Sequence, residues 1–328
     1  MKNKMAGALY GMALGDAMGM PSELWGRNRV RNYFGKIECF LDGPKENEVA
    51  CNYTRGQFTD DTGQALVILD SLMATGFKPV PAHIAEKLLE WADKENAFEN
   101  NILGPTSKVA LQSFRENKDA KTFTDQALSN GSAMRIAPIG CLFHPEEKEK
   151  LANYVYDVSQ VTHTSDITIA GAAMIAMAVS SAIVNADFQT VLEDAYAIEP
   201  IARILGAETY SPSLTARTRL GIQLADEHKG NDVDFLDSIY DLIGAGVNIS
   251  ESVPAALAIA YYAQDANSCS LLCANLAGDT DTIGAMATAV CGAFTGVDKI
   301  REDYIEVLEK ENDTDFGLYI DSLMGARG

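Results

Sequence analysis

Met5-Ala6-Gly7-Ala8-Leu9-Tyr10-Gly11-Met12-Ala13-Leu14-Gly15-Asp16-Ala17-Met18-Gly19-Met20 is the stretch whose reading decides the fold. Glycine recurs at every fourth position, 7, 11, 15 and 19, so a helix over 5–20 presents one face lined with hydrogen atoms. Each glycine costs about 1 kcal/mol in a helix interior relative to alanine. A whole face of them implies a neighbouring backbone pressed close, at the centre of the fold. Pro21 ends the pattern, and residues 22–57, with Gly35, Gly43-Pro44 and Gly56 and little periodicity, read as a long loop.

Outward from that helix the chain alternates helical patterns with turns. Phe58–Ala74 reads as a helix with Thr59 as N-cap and Ala65, Leu66, Ile68, Leu69 and Leu72 on its apolar face. Further helices are expected over 81–93, 105–114, 146–159, 188–205, 213–228, 232–244, 253–264, 268–277, 281–294, 298–311 and 315–324. Thr162-His163-Thr164-Ser165-Asp166 caps a long alanine-rich helix ending near Ile183. That run is apolar enough to raise the question of a membrane span, but Thr168, Ser180 and Ser181 favour a buried core helix. No stretch alternates polar and β-branched residues between hairpin turns, and no fixed-period repeat emerges. The expectation is one all-α domain over 1–328, a compact orthogonal helical bundle.

Composition narrows the function. The chain has 328 residues, is 47% hydrophobic and carries a net charge of −20. That charge argues against sequence-independent nucleic-acid binding, which needs clustered Lys and Arg. An anionic ligand would have to be held by metal ions, helix N-termini or backbone amides. The six cysteines contain no CxxC pair and read as reduced core residues, and the four histidines are too scattered for a histidine metal site. The N-terminus faintly resembles a secretory signal, but Asp16 interrupts it, so a cytoplasmic protein is expected.

Two acidic helix starts carry the chemistry. Phe58-Thr59-Asp60-Asp61-Thr62 opens one apolar helix, and Gly278-Asp279-Thr280-Asp281-Thr282-Ile283-Gly284 opens another far downstream. An aspartate in a helix's first turn ordinarily complements the dipole and caps free amides. Of two adjacent aspartates, however, one can cap while the other must point elsewhere. Asp279 and Asp281 are followed by a run that reads as buried, where paired carboxylates are costly unless cations neutralise them. Carboxylate and hydroxyl oxygens without His or Cys select hard ions, Mg²⁺, Mn²⁺ or Ca²⁺, and the spacing is not that of an EF-hand. The two motifs are expected to meet around a pair of divalent cations able to orient a diol and polarise a reacting centre.

These segments also carry a resemblance. Gly7 to Glu23, Phe58 to Thr62, Asn130-Gly131-Ser132-Ala133-Met134-Arg135, Thr162-His163 and Gly278 to Gly284 resemble, in order, the motifs of the ADP-ribosylglycohydrolase family. The resemblance implies an all-α fold with two Mg²⁺ or Mn²⁺ ions in a central cleft. It implies metal ligation by Thr59, Asp60 and Asp61 from one side and by Asp279, Asp281 and Thr282 from the other. Glu23 matches a glutamate on a mobile segment that positions or deprotonates water, with Asp61 or Asp281 as the other bases. Asn130, Gly131, Ser132 and Met134 match the loop that holds ribose and diphosphate, and His163 matches a histidine near the diphosphate. Taken alone, His163 reads equally as a capping or core residue, and Arg135 as a buried structural arginine.

The chain departs from that pattern at Ile102, where arginine-directed members carry an acid, in 124–129, and at Asp166, which replaces a proline. Phe123 and Phe98 are candidate adenine-stacking aromatics. The resulting expectation is hydrolysis of the C1″ glycosidic bond of ADP-ribose on a modified protein or small molecule. The alternatives are a hydrolase of a small N-ribosyl metabolite or nucleoside, and an inactive ADP-ribose-binding protein.

Overall fold

A computed structural model describes residues 1–100 and 102–327. Among them the chain forms α1 (Lys2–Gly19), α2 (Arg27–Phe34), α3 (Asp60–Ala74), α4 (Pro81–Lys94), α5 (Pro105–Arg115), α6 (Lys121–Thr124), α7 (Ala137–Gly140) and α8 (Lys148–Ser159). The second half adds α9 (Asp166–Val184), α10 (Phe188–Arg203), α11 (Leu214–Glu227), α12 (Asp232–Ser238), α13 (Ile249–Ala263), α14 (Ala266–Leu276), α15 (Thr280–Thr295), α16 (Glu302–Asn312) and α17 (Phe316–Ala326). The described residues contain isolated bridges, Trp25–Gly278, Ser129–Asn248 and Ser165–Ala207, but no sheet, so the all-α expectation holds.

The glycine face of α1 meets α15. A Cβ on Gly7, Gly11, Gly15 or Gly19 would lie 2.0, 2.4, 2.0 or 2.3 Å from the carbonyl oxygen of Gly292, Thr288, Gly284 or Thr280. Gly284 and Gly292 return the same relation to Gly15 and Gly7, so the helices run antiparallel with their backbones touching. Every α1 residue from Met5 to Gly19 is buried, and so is every α9 residue from Asp166 to Ile183. Helices apolar on all sides belong inside a molecule. The membrane-length run of α9 is 94% enclosed by protein. Because α1 and α15 are antiparallel, the C-terminal end of α1 lies against the N-terminal end of α15, which carries Asp279, Asp281 and Thr282. All six cysteines are free, four of them in the core.

Two expectations need correction. The 22–57 stretch is not all loop, because α2 lies within it. Its sequence, Arg27-Asn28-Arg29-Val30-Arg31-Asn32-Tyr33-Phe34, buries Val30 alone, so no apolar stripe announced it. Val30 and Phe34 pack with Trp25, Ala277 and Tyr240, and charge adds to that anchor, Arg27 pairing with Asp237 and Asp241 at 2.9 and 3.0 Å and Arg31 with Asp237 at 2.6 Å. The helix expected from 253 begins at Ile249, with Pro254 inside it. Pro254 cannot bond the Ser250 carbonyl one turn back. Arg217 takes that carbonyl at 2.8 Å and makes the proline tolerable.

Candidate metal centre

The acidic site forms where the ends of three helices converge. Asp16 lies near the end of α1, Asp60 and Asp61 open α3, and Asp279 and Asp281 open α15. Asp16, Asp61 and Asp281, all buried, each present an oxygen within 4.8 Å of the others. Thr59 stands at the N-cap of α3, yet its side chain caps nothing there. Its hydroxyl donates instead to Asp16 Oδ1 at 2.9 Å, and Asp16 performs the capping from another helix. Asp16 Oδ1 accepts the Thr59 N–H at 2.8 Å, and Oδ2 accepts the Thr62 N–H at 2.9 Å and its hydroxyl at 2.6 Å.

Asp16 is thus satisfied within the protein, whereas its neighbours are not. Asp61 Oδ1 and Asp281 Oδ1 are enclosed without any hydrogen-bond partner among the described residues. The Thr59 oxygen also lies 3.2 Å from Asp61 Oδ2 and 3.4 Å from Asp281 Oδ2. One hydroxyl proton cannot serve three carboxylates at once, so its hydrogen bond to Asp16 leaves Asp61 and Asp281 without a donor from Thr59. The Thr282 hydroxyl lies against both Asp61 and Asp279. Buried acceptors left unpaired are costly. A cluster of them with oxygen donors alone fits hard divalent cations.

Electrostatics point the same way. Burial pushes Asp60 up to about 7, with Asp16 adding to the effect. Burial also raises Asp16 to about 6 against the hydrogen bonds from Thr62 and Thr59, and Asp279 to about 6 against those from Asn130 and Thr282. Asp61, Asp281 and Glu23 are driven well above the carboxylate range by burial and then by their acidic neighbours. Arg135, buried and itself lowered to about 10, opposes the rise at Asp60. It reaches Asp60 through Gln64, donating to Gln64 Oε1 while Gln64 Nε2 donates to Asp60 Oδ2 at 2.7 Å. A site of this kind without cations holds protons that divalent ions would displace.

The sequence profile described as ADP-ribosylglycohydrolase matches residues 1–327. The chain belongs to the ADP-ribosylglycohydrolase family. Membership places it among glycosyl hydrolases that act on ADP-ribose linkages. It is 43% identical to YegU of Escherichia coli (strain K12), over 98% of this chain and 96% of that one, a protein whose name carries no activity. It is 24% identical to the ADP-ribosyl-[dinitrogen reductase] glycohydrolase of Rhodospirillum rubrum, over 99% and 97% of the two chains. A solved structure described as an ADP-ribosylglycohydrolase-related protein complex superposes with a TM-score of 0.73 at 21% identity, covering 100% of this chain and 99% of its own.

Around the acids, the chain assembles the other residues singled out in the sequence. Glu23 follows the short 3₁₀ turn Met20–Ser22, half-buried, its carboxyl at hydrogen-bonding distance of Asp281. Its backbone is pinned on both sides. Asn47 Nδ2 donates to the Glu23 carbonyl at 2.9 Å, and the Leu24 N–H donates to the Gly278 carbonyl at 2.6 Å. Asn130 Nδ2 donates to Asp279 Oδ2 at 2.5 Å, which brings the Asn130 loop onto the acidic cluster. In that loop the N–H groups of Ala133 and Met134 return to the Asn130 carbonyl, while those of Gly131 and Ser132 have no partner among the described residues. Ser132 Oγ is spent on the Thr168 carbonyl at 3.1 Å, and Met134 is buried.

His163 has no exposed surface and lies beneath Gly131, whose Cβ would come within 2.8 Å of its ring. Its nitrogens meet Thr162 Oγ1 at 2.8 Å and Ser129 Oγ at 3.0 Å, and burial lowers it to about 3, so it supports the loop as a neutral imidazole. Phe98 carries the Arg115 guanidinium 4.8 Å from its ring centre, and Phe123 is exposed. Ile102 packs against the core. Asp166 ties the start of α9 to Arg203 at 2.9 Å and to the Thr209 hydroxyl at 2.5 Å.

Sequence reasoning missed two residues of the site. In the sequence Asp16 stands only as an interruption of an apolar run. The signal for more was its isolation, since a lone acid on a glycine-lined central helix has to be compensated. Tyr53 lies in the presumed loop, and its hydroxyl is raised by burial and then by Asp60, Glu23, Asp16 and Asp281, so it faces the cluster. The groove of about 910 Å³ lined by Val30, Arg31, Lys229, Tyr261, Tyr262 and Leu272 contains none of these residues.

Proposed function

We propose that this chain hydrolyses the C1″ glycosidic bond of ADP-ribose conjugates, releasing ADP-ribose from a modified protein or small molecule. The observation that carries the reading is the pair of buried, unpartnered oxygens, Asp61 Oδ1 and Asp281 Oδ1, with the Glu23 carboxyl next to Asp281. Thr59, Asp60, Asp61, Asp279, Asp281 and Thr282 would hold two Mg²⁺ or Mn²⁺ ions. Such ions, when bound, supply Lewis acidity toward ribose hydroxyls and lower the pKa of water.

The remaining work falls to the chain itself. The unpaired amides of Gly131 and Ser132 form a small anion-binding concavity suited to a diphosphate. Asn130 keeps that loop in register with Asp279. Glu23, half-buried where Asp61 and Asp281 are enclosed, takes the proton of the attacking water and returns it to the departing group. Arg135 and Gln64 orient Asp60 from behind.

The test is release of free ADP-ribose, followed by mass spectrometry, from arginine- and serine-modified proteins and from small ADP-ribosyl conjugates with Mg²⁺ or Mn²⁺. Glu23→Gln should lower the rate by a factor on the order of 10² to 10⁴ while metal still binds. Metal bound without release from any conjugate would overturn the reading.

A further inference from the structure

The turn from Gly244 to Asn248 touches both halves of the site while contributing no side chain to either. The Ala245 carbonyl accepts the Asp279 N–H at 2.7 Å, and the Val247 carbonyl accepts the Asn130 N–H at 3.0 Å. Asn248 pairs with Ser129 in an antiparallel bridge, and the Ile249 N–H donates to the Leu128 carbonyl at 2.8 Å. This one turn therefore sets the separation between Asp279 and Asn130, the separation at which their side chains hydrogen-bond. Its own sequence gives it little stiffness. Gly244 sits at φ 95, a region open mainly to glycine, and Gly246 has no side chain to pack.

Stiffness comes from Glu251 in the first turn of α13. Its Oε2 accepts the Gly246 N–H at 3.0 Å. Its side chain also fills the concave side of the turn, where a Cβ on Gly244 or Gly246 would come within 2.5 or 3.0 Å of it. The two glycines leave room for this carboxylate, and the carboxylate fixes the two glycines. We infer that Glu251 is a positioning residue for the metal centre: through Gly246 it holds the turn whose carbonyls place Asp279 and Asn130. The inference rests on the metal-dependent reading above, but its readout is metal affinity rather than turnover.

Two variants separate the hydrogen bond from the charge. Glu251→Gln keeps an acceptor at full reach and removes the charge, whereas Glu251→Asp keeps the charge and withdraws the acceptor. In Mn²⁺ titration calorimetry on the purified full chain, Glu251→Gln should bind within about twofold of wild type. Glu251→Asp should bind roughly tenfold more weakly, the lower end of what residues supporting metal ligands contribute. The melting temperatures of both metal-free variants should stay close to wild type, because Ala245 is the one side chain that the turn buries in the core. The inference is overturned if Glu251→Asp binds as wild type does, or if Glu251→Gln is as weak as Glu251→Asp. Should wild type itself take up no Mn²⁺, the metal-dependent reading fails first, a distinct result.

Discussion

Asp16 and Asp61 belong to one buried cluster, yet their surroundings assign them different work. Asp16 receives four donors from Thr59 and Thr62 and so ties α1 to the start of α3. Asp61 keeps one oxygen free of any donor among the described residues. Substitution by asparagine should separate them. Asp16→Asn turns an NH₂ group toward donors and should cost about 2 kcal/mol of stability with or without metal, since buried hydrogen bonds to a charged acceptor are worth that much. Asp61→Asn removes a carboxylate from a like-charged site, so the metal-free protein should be no less stable than wild type, while the stabilisation by Mn²⁺ disappears. Urea unfolding with Mn²⁺ and with chelator reads both effects. If Asp61→Asn destabilises the chelated protein as much as Asp16→Asn does, the division between capping residue and ligand is wrong.

At the scale of helices, the α1–α15 contact sets where the acids meet, and it leaves no space. Gly15→Ala would place a methyl group 2.0 Å from the Gly284 carbonyl oxygen, so the helices must part. A loss of about 3 kcal/mol is expected, the upper range for overpacking, together with weaker Mn²⁺ binding as the N-terminus of α15 shifts. Gly325, in α17 with nothing within 4 Å, provides the control, because Gly325→Ala should raise stability by up to about 1 kcal/mol. Thermal unfolding of the two variants gives opposite signs if close backbone approach is the cause, and equal signs if it is not. The contact was half legible in the sequence. The period of four in α1 announces a neighbour, but α15 answers with Thr280, Gly284, Thr288 and Gly292, where just two glycines show. The acidic motifs were legible because adjacent carboxylates at a helix start exceed what capping requires. Helix α2 was not, since its anchors, Asp237, Asp241, Tyr240 and Ala277, lie far along the chain and two apolar contacts, Val30 and Phe34, make too short a period to stand out. Asp16 stayed hidden for a related reason: its partners belong to another helix, and nothing beside it in sequence tells of them.

For the whole molecule, a net charge of −20 with its most crowded acids inside makes stability depend jointly on protons and cations. Burial raises Asp16, Asp60 and Asp279 from their ordinary 3.8 to about 6, 7 and 6. In the metal-free protein the folded state therefore keeps protons that the unfolded chain has released. The associated stability is fully present below the ordinary value of 3.8, declines above it and is lost as pH rises through 6 to 7. Divalent cations hold the same carboxylates ionised in the folded state and remove that loss. The gain in melting temperature from saturating Mg²⁺ over chelator should thus be small near pH 5, grow through pH 6 and 7, and be no smaller at pH 8, since Asp61 and Asp281 are raised further still. Groups outside the cluster contribute equally with and without metal, so they cancel in the difference. Scanning calorimetry at those four values tests it. A gain that stays constant with pH, or is largest at pH 5, would mean that the cluster does not exchange protons for metal, and the buried oxygens of Asp61 and Asp281 would then need another partner.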